Sequence, residues 1–165
     1  MIKVREAVEA DVLEIKQLLT YTWSDTYGQY LPERIIKKVE STWEDLQQLK
    51  NQIEDENVTL TIAENYAHKI IAMITIIDKG DGDFALTRMY VHPNFQGQGV
   101  GELILNESLG NLHNVKKLIV DVEERNTRAI KFYKREGFIE SIKNKIKIED
   151  VDVEVIHMEK EIHVN

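Results

Sequence analysis

The chain has 165 residues and a net charge of −8, enough for one domain with a substantial core at the usual ~100–200 residues per domain. With 42% hydrophobic and 30% charged residues, the composition excludes a disordered, fibrous or membrane-embedded protein. Acidic residues outnumber basic ones by 29 to 21, which excludes a global basic field for nucleic acid or anionic membranes, so any anionic ligand must be held by local groups.

Cysteine is absent, which excludes disulfides, thiolate nucleophiles and cysteine-bound metals. The longest apolar runs, such as residues 70–77, are far shorter than the ~20 residues that span a bilayer. The first residues, Met-Ile-Lys-Val-Arg-Glu, lack the apolar core of a signal peptide. We therefore expect a single domain over residues 1–165, located in the cytoplasm, that binds neither membrane nor nucleic acid.

The first third of the chain is predicted to be helical after one strand at residues 2–6. Asp11 is a predicted N-cap for the first helix. Apolar residues recur at helical spacing in that helix: Val12, Ile15, Leu18, Leu19 and Trp23. Pro32 marks the start of a second helix, and Ser41 with Glu44 forms a predicted capping box for a third.

The apolar period then changes from about 3.6 to 2, which predicts strands. Predicted strands and helices alternate over the rest of the chain: strands at 58–64, 69–77 and 84–91, a helix at 100–113, a strand at 117–122, a helix at 127–135, and strands at 138–148 and 151–162. Parallel neighbours need a long crossover, so the passage from 84 to 122 is predicted to form a parallel pair. The sequence predicts an α/β fold with a mixed, mostly antiparallel central sheet and helices on both faces.

A glycine-rich turn joins a strand to a helix at residues 92–101. Gly97, Gly99 and Gly101 allow the backbone to turn sharply and to bring consecutive N–H groups close to a ligand. Together with the positive end of the following helix, these amides favour a pyrophosphate, although a merely flexible turn would give the same pattern. The dinucleotide fingerprint is excluded because Glu102 and Ile104 stand where it needs glycine, and no Gly-Lys-Ser/Thr tripeptide occurs.

These features resemble the GCN5-related N-acetyltransferases (GNAT family). Their acetyl-CoA signature, Gln/Arg-x-x-Gly-x-Gly/Ala, is matched by residues 96–101 at Gln96, Gly99 and Gly101. A second landmark, an Asn followed by a helix with Ala, Phe-Tyr and Gly-Phe, is matched by Asn126, Ala129, Phe132, Tyr133, Gly137 and Phe138. The resemblance implies the GNAT acyltransferase fold, with acetyl-CoA as co-substrate beside a splayed pair of parallel strands.

The resemblance also implies the residues that contact acetyl-CoA: Met89, Tyr90, Val91, Gln96, Gly97, Gln98, Gly99, Val100, Gly101, Glu102, Asn126, Ala129, Tyr133 and Lys134. Tyr133 is the implied general acid for the leaving thiolate, and backbone N–H groups of 89–91 are implied to polarise the thioester. A helix-capping Asn126 and a core Tyr133 are the structural alternatives. One of Lys131, Lys134 and Arg135 is a candidate for the 3′-phosphate of CoA, or all three form a solvated helix face.

The general base is left unassigned. Many relatives carry a glutamate on the strand that ends at Val91, but residues 87–90 are Thr-Arg-Met-Tyr here. Asp121 and Glu123 are the nearest carboxylates in the sequence, although either would also fit a solvated or ion-paired face. No metal site is predicted, because the five histidines lack ligand spacing.

Trp23, Tyr27 and Tyr30 are the candidates for the acceptor pocket, with core packing as the alternative for Trp23. Segments 87–93, 124–126 and 158–161 resemble the bacterial spermidine/spermine N-acetyltransferase branch, which favours a polyamine acceptor. The predicted function is direct acetyl transfer from acetyl-CoA to an amine of a small molecule. Acetylation of a protein N-terminus, an amino acid or an aminoglycoside, a non-catalytic CoA sensor and a nucleotide-binding regulatory domain are the alternatives. The last strands could also pair two copies into a homodimer.

Overall fold

The computed structural model describes residues 1–42 and 46–163, which form a seven-stranded sheet and five α-helices. The strands are β1 (Lys3–Glu6), β2 (Val58–Glu64), β3 (Ile70–Gly80), β4 (Asp83–Val91), β5 (Lys117–Glu123), β6 (Ile139–Ile148) and β7 (Val151–Glu161). The helices are α1 (Val12–Tyr27), α2 (Glu33–Thr42), α3 (Leu46–Glu54), α4 (Val100–Gly110) and α5 (Thr127–Arg135).

The strands lie in the order β1-β2-β3-β4-β5-β7-β6. Within the described residues β4 and β5 are the one parallel pair, and every other neighbouring pair is antiparallel. The mixed, mostly antiparallel sheet predicted from the sequence is confirmed, and the parallel pair falls at the predicted crossover.

The parallel pair separates before its strands end. Pairing runs from Asp83 opposite Lys117 to Leu86 opposite Val120, whereas β4 continues to Val91 and β5 to Glu123. A bulge at Thr87 accompanies the separation, because the register with β3 shifts at this residue. A gap therefore opens between the carboxyl ends of the two strands.

Helices cover both faces of the sheet, as predicted. On one face, the α4–α5 core contains Ile74, Val100, Ile104, Leu105, Leu118 and Tyr133. On the other face, the α1–α3 core contains Ile15, Leu19, Ile35, Leu49, Leu60 and Ile62. The sheet, and with it the gap between β4 and β5, is packed between two layers of helices.

The hairpin between β3 and β4 is tighter than the sequence predicts. Asp81 and Gly82 both have positive φ, at 56° and 85°, which is the pattern of a type I′ turn. Gly80 pairs with Asp83 across this two-residue loop. Both strands therefore extend past their predicted ends at residues 77 and 84.

The predicted capping of the first helices requires correction. The Asp11 carboxylate makes no capping bond to α1, because it accepts the Val8 N–H at 2.8 Å and two hydrogen bonds from Arg5 at 2.8 and 2.9 Å. Ser41 lies inside α2, where its hydroxyl donates to the Lys38 carbonyl. Its predicted capping partner Glu44 lies outside the described residues.

The ion pair between Arg5 and Asp11 predicts a pH-dependent contribution to stability. The Arg5 hydrogen bonds lower the pKa of Asp11, opposed by burial. This contribution is complete above the unfolded pKa of about 3.9 and is lost as the pH falls through the lower folded pKa. Asp11→Asn should reduce the free energy of unfolding at pH 7 in urea titrations, and the difference from wild type should shrink below pH 4. Asp81→Asn, in an exposed turn, is the control, and a difference that stays constant with pH would contradict the assignment.

Candidate active site

A cleft of about 780 Å³ occupies the gap between β4 and β5. Its walls are the ends of these strands, the glycine-rich turn, α5 and the end of α1. The predicted site residues that line it are Tyr27, Tyr30, Met89, Tyr90, Val91, Gln96, Gly97, Gly99, Val100, Gly101, Glu102, Asn126, Ala129 and Tyr133. Segments far apart in the sequence thus meet beside the carboxyl ends of the splayed parallel strands.

Three predicted site residues do not line this cleft. Gln98 donates from its side-chain amide to the Asn94 carbonyl at 3.1 Å. Lys134 forms an ion pair with Glu140 at 3.0 Å. Trp23 is buried in the α1–α3 core, which is the structural alternative for this residue.

The glycine-rich turn presents backbone to the cleft. Gly97 and Gly99 have positive φ of 74° and 81°, and a Cβ added at either would meet no described atom within 4 Å. Gly99 is also the N-cap of α4, so the first N–H groups of this helix point toward the turn. Open space above unpaired amides is the geometry that an anionic group requires.

Gly101 has a different role. A Cβ here would lie 3.1 Å from the Met89 side chain and 3.2 Å from the Phe132 ring. Glycine therefore lets the first turn of α4 pack closely against β4 and α5. This packing fixes the helix N-terminus at the mouth of the cleft.

The Gln96 side chain ties the turn to both neighbouring elements. Its amide donates to the Val91 carbonyl at 2.9 Å, and its oxygen accepts a hydrogen bond from the Arg128 guanidinium. Arg128 was not predicted as a site residue, yet it lines the cleft. The turn is therefore held in shape by side chains of the protein itself.

Three basic residues of α5 line the rim: Arg128, Lys131 and Arg135. Their spacing of three and four residues places them on one face of the helix. This spacing was the signal in the sequence that could have revealed Arg128. It forms a local basic surface on an acidic protein, suited to a phosphate.

Asn126 connects α5 to α1. Its side-chain oxygen accepts the Ala129 N–H at 3.2 Å, so it caps α5 as one of its two predicted roles requires. Its side chain also lies close to the Tyr27 hydroxyl and lowers the pKa of that group, against the larger effect of burial. Asn126 therefore couples the helix start to the wall expected to face the acceptor.

The cap predicts a measurable stability effect. Asn126→Ala should lower the free energy of unfolding by about 1 kcal/mol, because the Ala129 N–H loses its partner. Asn126→Ser, which can still cap but cannot reach as far toward Tyr27, should lose less. Urea unfolding of both variants provides the measurement, and a fully stable Asn126→Ala would contradict the capping role.

Three tyrosines meet inside the cleft. Burial raises the pKa of Tyr27, Tyr90 and Tyr133, and these hydroxyls are close enough for Tyr27 to raise the other two further. The Trp23 indole N–H also lies close to the Tyr90 hydroxyl and lowers its pKa, against the larger effect of burial. Tyr133 therefore stays protonated at neutral pH and can act as a proton donor.

Asp121 and Glu123, the nearest carboxylates considered for the general base, are both paired with other side chains. Glu123 is buried, and its oxygens accept the Arg125 backbone N–H at 2.6 Å and side-chain Nε at 2.7 Å. The Arg125 guanidinium in turn lies 4.8 Å from the centre of the Tyr30 ring. Asp121 lines the cleft but pairs with His157 at 2.9 Å. Glu123 thus holds the wall around Tyr30 in place.

Among residues 1–42 and 46–163, no group of three or more His, Asp or Glu side chains is arranged to hold a metal ion. No described helix is both long and apolar enough to cross a bilayer.

The family model described as an acetyltransferase (GNAT) domain matches residues 25–162. The chain belongs to the GNAT acetyltransferase family. The family predicted from residues 96–101 and from Asn126 onward is therefore confirmed. This GNAT domain places both landmarks in one cleft.

A curated relative of the GNAT domain is the probable spermine N(1)-acetyltransferase of Bacillus subtilis subsp. natto (strain BEST195), 31% identical over 64 residues. That match covers 37% of this chain and 42% of the relative, so it spans less than half the length of that protein.

Two solved structures share the GNAT fold over nearly the whole chain. One is the PaiA N-acetyltransferase from Thermoplasma acidophilum in complex with coenzyme A, with a TM-score of 0.85, 20% identity, and coverage of 98% of this chain and 99% of that one. The other is the spermidine N-acetyltransferase from Vibrio cholerae in complex with CoA and spermine, with a TM-score of 0.74, 19% identity, and coverage of 96% and 94%. At these identities the likeness concerns the fold.

Proposed function

We propose that this protein transfers the acetyl group of acetyl-CoA directly to the amine of a small molecule. The observation that carries the proposal is the cleft between β4 and β5. It brings open glycine amides, unpaired strand backbone and the Tyr133 hydroxyl into one space. A single extended ligand with a phosphate end and a reactive thioester end fits this sequence of groups.

The residues present fit acetyl-CoA along its length. The amides of Gly97 to Gly101 would hold the pyrophosphate at the start of α4. Past Leu86, β4 has no pairing with β5, so the N–H groups of 89–91 that face the gap are available to the pantetheine arm. The basic surface of α5 formed by Arg128, Lys131 and Arg135 would take the 3′-phosphate.

The chemistry of transfer uses two kinds of group from the protein. The amine nitrogen attacks the thioester carbon, and backbone N–H groups at the bulge of β4 stabilise the oxygen that becomes negative. The carbon–sulfur bond then breaks, and the Tyr133 hydroxyl gives its proton to the CoA thiolate. The proton that the amine nitrogen loses as the amide forms passes through water and restores the Tyr133 hydroxyl. Because the chain has no cysteine, transfer within a ternary complex is favoured over a thioester-linked enzyme.

The comparisons support a polyamine as the first acceptor to test. The Bacillus relative is named as a spermine acetyltransferase, and the Vibrio structure contains spermine. The acidic side chains that line the cleft, Asp25, Glu102 and Asp121, are compatible with a cationic acceptor. The Arg88 guanidinium, which lines the same cleft, favours instead an amino acid, another of the predicted alternatives.

A thiol-release assay tests the proposed function. Acetyl-CoA and the protein are mixed, in separate reactions, with a polyamine, an amino acid, a peptide or an aminoglycoside. The release of free CoA is followed in each reaction. We expect release that depends on both protein and amine. Tight CoA binding without release from any amine would favour the sensor alternative, and binding of ATP or NAD in preference to CoA by calorimetry would favour the nucleotide-binding alternative.

A further inference from the structure

Arg88 is an unpaired cation in the wall of the cleft. It lines the cleft beside Thr87 and Met89, yet its Nη1 atom is buried without a hydrogen-bond partner. Elsewhere in the described chain, Arg5, Arg34 and Arg125 each pair with a carboxylate. Buried charges are normally paired, so an unpaired guanidinium at a ligand site indicates that the ligand completes the pair.

The bulge at Thr87 determines the direction of the Arg88 side chain. Met89 and Val91 pack against the α4–α5 core, and Tyr90 packs against the α1–α3 core on the other face. Because side chains alternate along a strand, Arg88 lies on the same face as Tyr90. This is the face of Tyr27 and Tyr30, the predicted wall of the acceptor pocket.

Arg88 is also close to the reacting end of the cleft. The Arg88 charge lowers the pKa of Tyr90, whereas the neighbouring Tyr27 and Tyr133 hydroxyls raise it, so these groups lie near one another. Burial lowers the pKa of Arg88, as expected for a guanidinium without a nearby carboxylate. Arg88 and Tyr133 line the same cleft, so an anion that binds Arg88 would share that space with the Tyr133 hydroxyl.

The facing residue on β3 adds a second unpartnered polar group. Thr75 is paired directly with Arg88, so the two side chains project from the same face of the sheet. The Thr75 hydroxyl is buried and has no hydrogen-bond partner among the described residues. Two hydrogen-bond donors at paired positions on neighbouring strands, facing the same side of the sheet, thus lack acceptors.

We propose that Arg88 binds a carboxylate of the acceptor, so that the acceptor is an amino acid or a similar amino carboxylate. This inference rests on the proposed function and names its substrate class. A planar guanidinium binds a carboxylate through two parallel hydrogen bonds, which fixes the position of the amine in the same molecule. A polyamine would instead bring a second cation to a site that already holds one.

The test uses acceptors matched one to one: lysine against cadaverine and ornithine against putrescine, which differ only by the carboxylate. Wild-type protein should give a higher kcat/KM with the amino acid of each pair. In Arg88→Met, kcat/KM for the amino acids should fall by about 30-fold or more, the loss typical of removing one partner of a buried charge pair, while the decarboxylated amines lose little. Arg88→Lys, which keeps the charge, should recover part of the preference.

Arg34→Met is the matched control, because Arg34 is exposed and pairs with Asp150 away from the cleft. It should keep the wild-type preference. Equal or better activity with the decarboxylated amines, or a preference that survives in Arg88→Met, would overturn the inference and leave the proposed function standing. A loss of acetyl-CoA affinity in Arg88→Met with unchanged acceptor KM would also overturn it.

A second readout separates failure of the inference from failure of the proposed function. If no amine releases CoA, the proposed function fails. Calorimetric binding of N-acetyl-lysine and N-acetyl-cadaverine to the CoA-loaded protein then still tests Arg88. Tighter binding of the carboxylate compound, lost in Arg88→Met, supports the inference, and equal binding of the two compounds overturns it.

Discussion

Tyr133→Phe should lower kcat by about 100-fold or more, because the leaving thiolate loses its proton donor. The affinity for acetyl-CoA should change little, since the phenylalanine ring keeps the contacts of the tyrosine. The Tyr133 ring lies edge-on to Phe132 and Phe138, with centroid distances of 5.3 and 5.1 Å. These contacts do not involve the hydroxyl, so the variant should fold.

Steady-state kinetics at saturating acetyl-CoA and amine, with calorimetry for acetyl-CoA, separate the two effects. Tyr66→Phe is the control, because Tyr66 is 84% exposed and lies outside the cleft. An unchanged kcat in Tyr133→Phe would remove the acid role from this residue. It would leave Tyr133 with the packing role that its place in the α4–α5 core also provides.

Gly99→Val should weaken acetyl-CoA binding by about tenfold or more, because a β-branched residue at positive φ costs on the order of 1–3 kcal/mol. The valine can relieve this strain by turning the backbone, and the amides that face the cleft then turn away with it. If the backbone does not turn, the strain appears as lower stability instead. Calorimetry and urea unfolding together measure both outcomes.

Gly110→Val is the matched control at the other end of α4. Gly110 is exposed, and like Gly99 it has no described atom within 4 Å of an added Cβ. Its φ is not in the left-handed region, so it should keep acetyl-CoA affinity. Wild-type affinity together with wild-type stability in Gly99→Val would contradict the role of this turn.

The cleft was largely predictable because its main parts are local in the sequence. The glycines that turn the backbone at 97–101 and the Asn126 cap act over a few residues, so their residue types and spacing indicate their roles. The parallel pair follows from one β-loop-α-β passage. Each of these predictions depends on chain connectivity more than on distant contacts.

The contacts that sequence reasoning missed join distant segments. Arg128 donates a hydrogen bond to Gln96 from α5. The Asp11 carboxylate binds Arg5 on β1 and does not cap α1 as predicted. The side of the sheet that Arg88 faces depends on a one-residue bulge at Thr87, and one residue of shift reverses the face. No local pattern encodes such a shift.

The double attachment of Gln96 also has a kinetic consequence. The Gln96 side chain already joins the end of β4 to α5 through Val91 and Arg128. The protein therefore does not have to order the glycine-rich turn when the co-substrate binds. The entropic cost of fixing a loop is then met during folding rather than during association. Encounter with the co-substrate should therefore proceed at a rate set by diffusion and by the charge of the α5 rim, without a slow closing step.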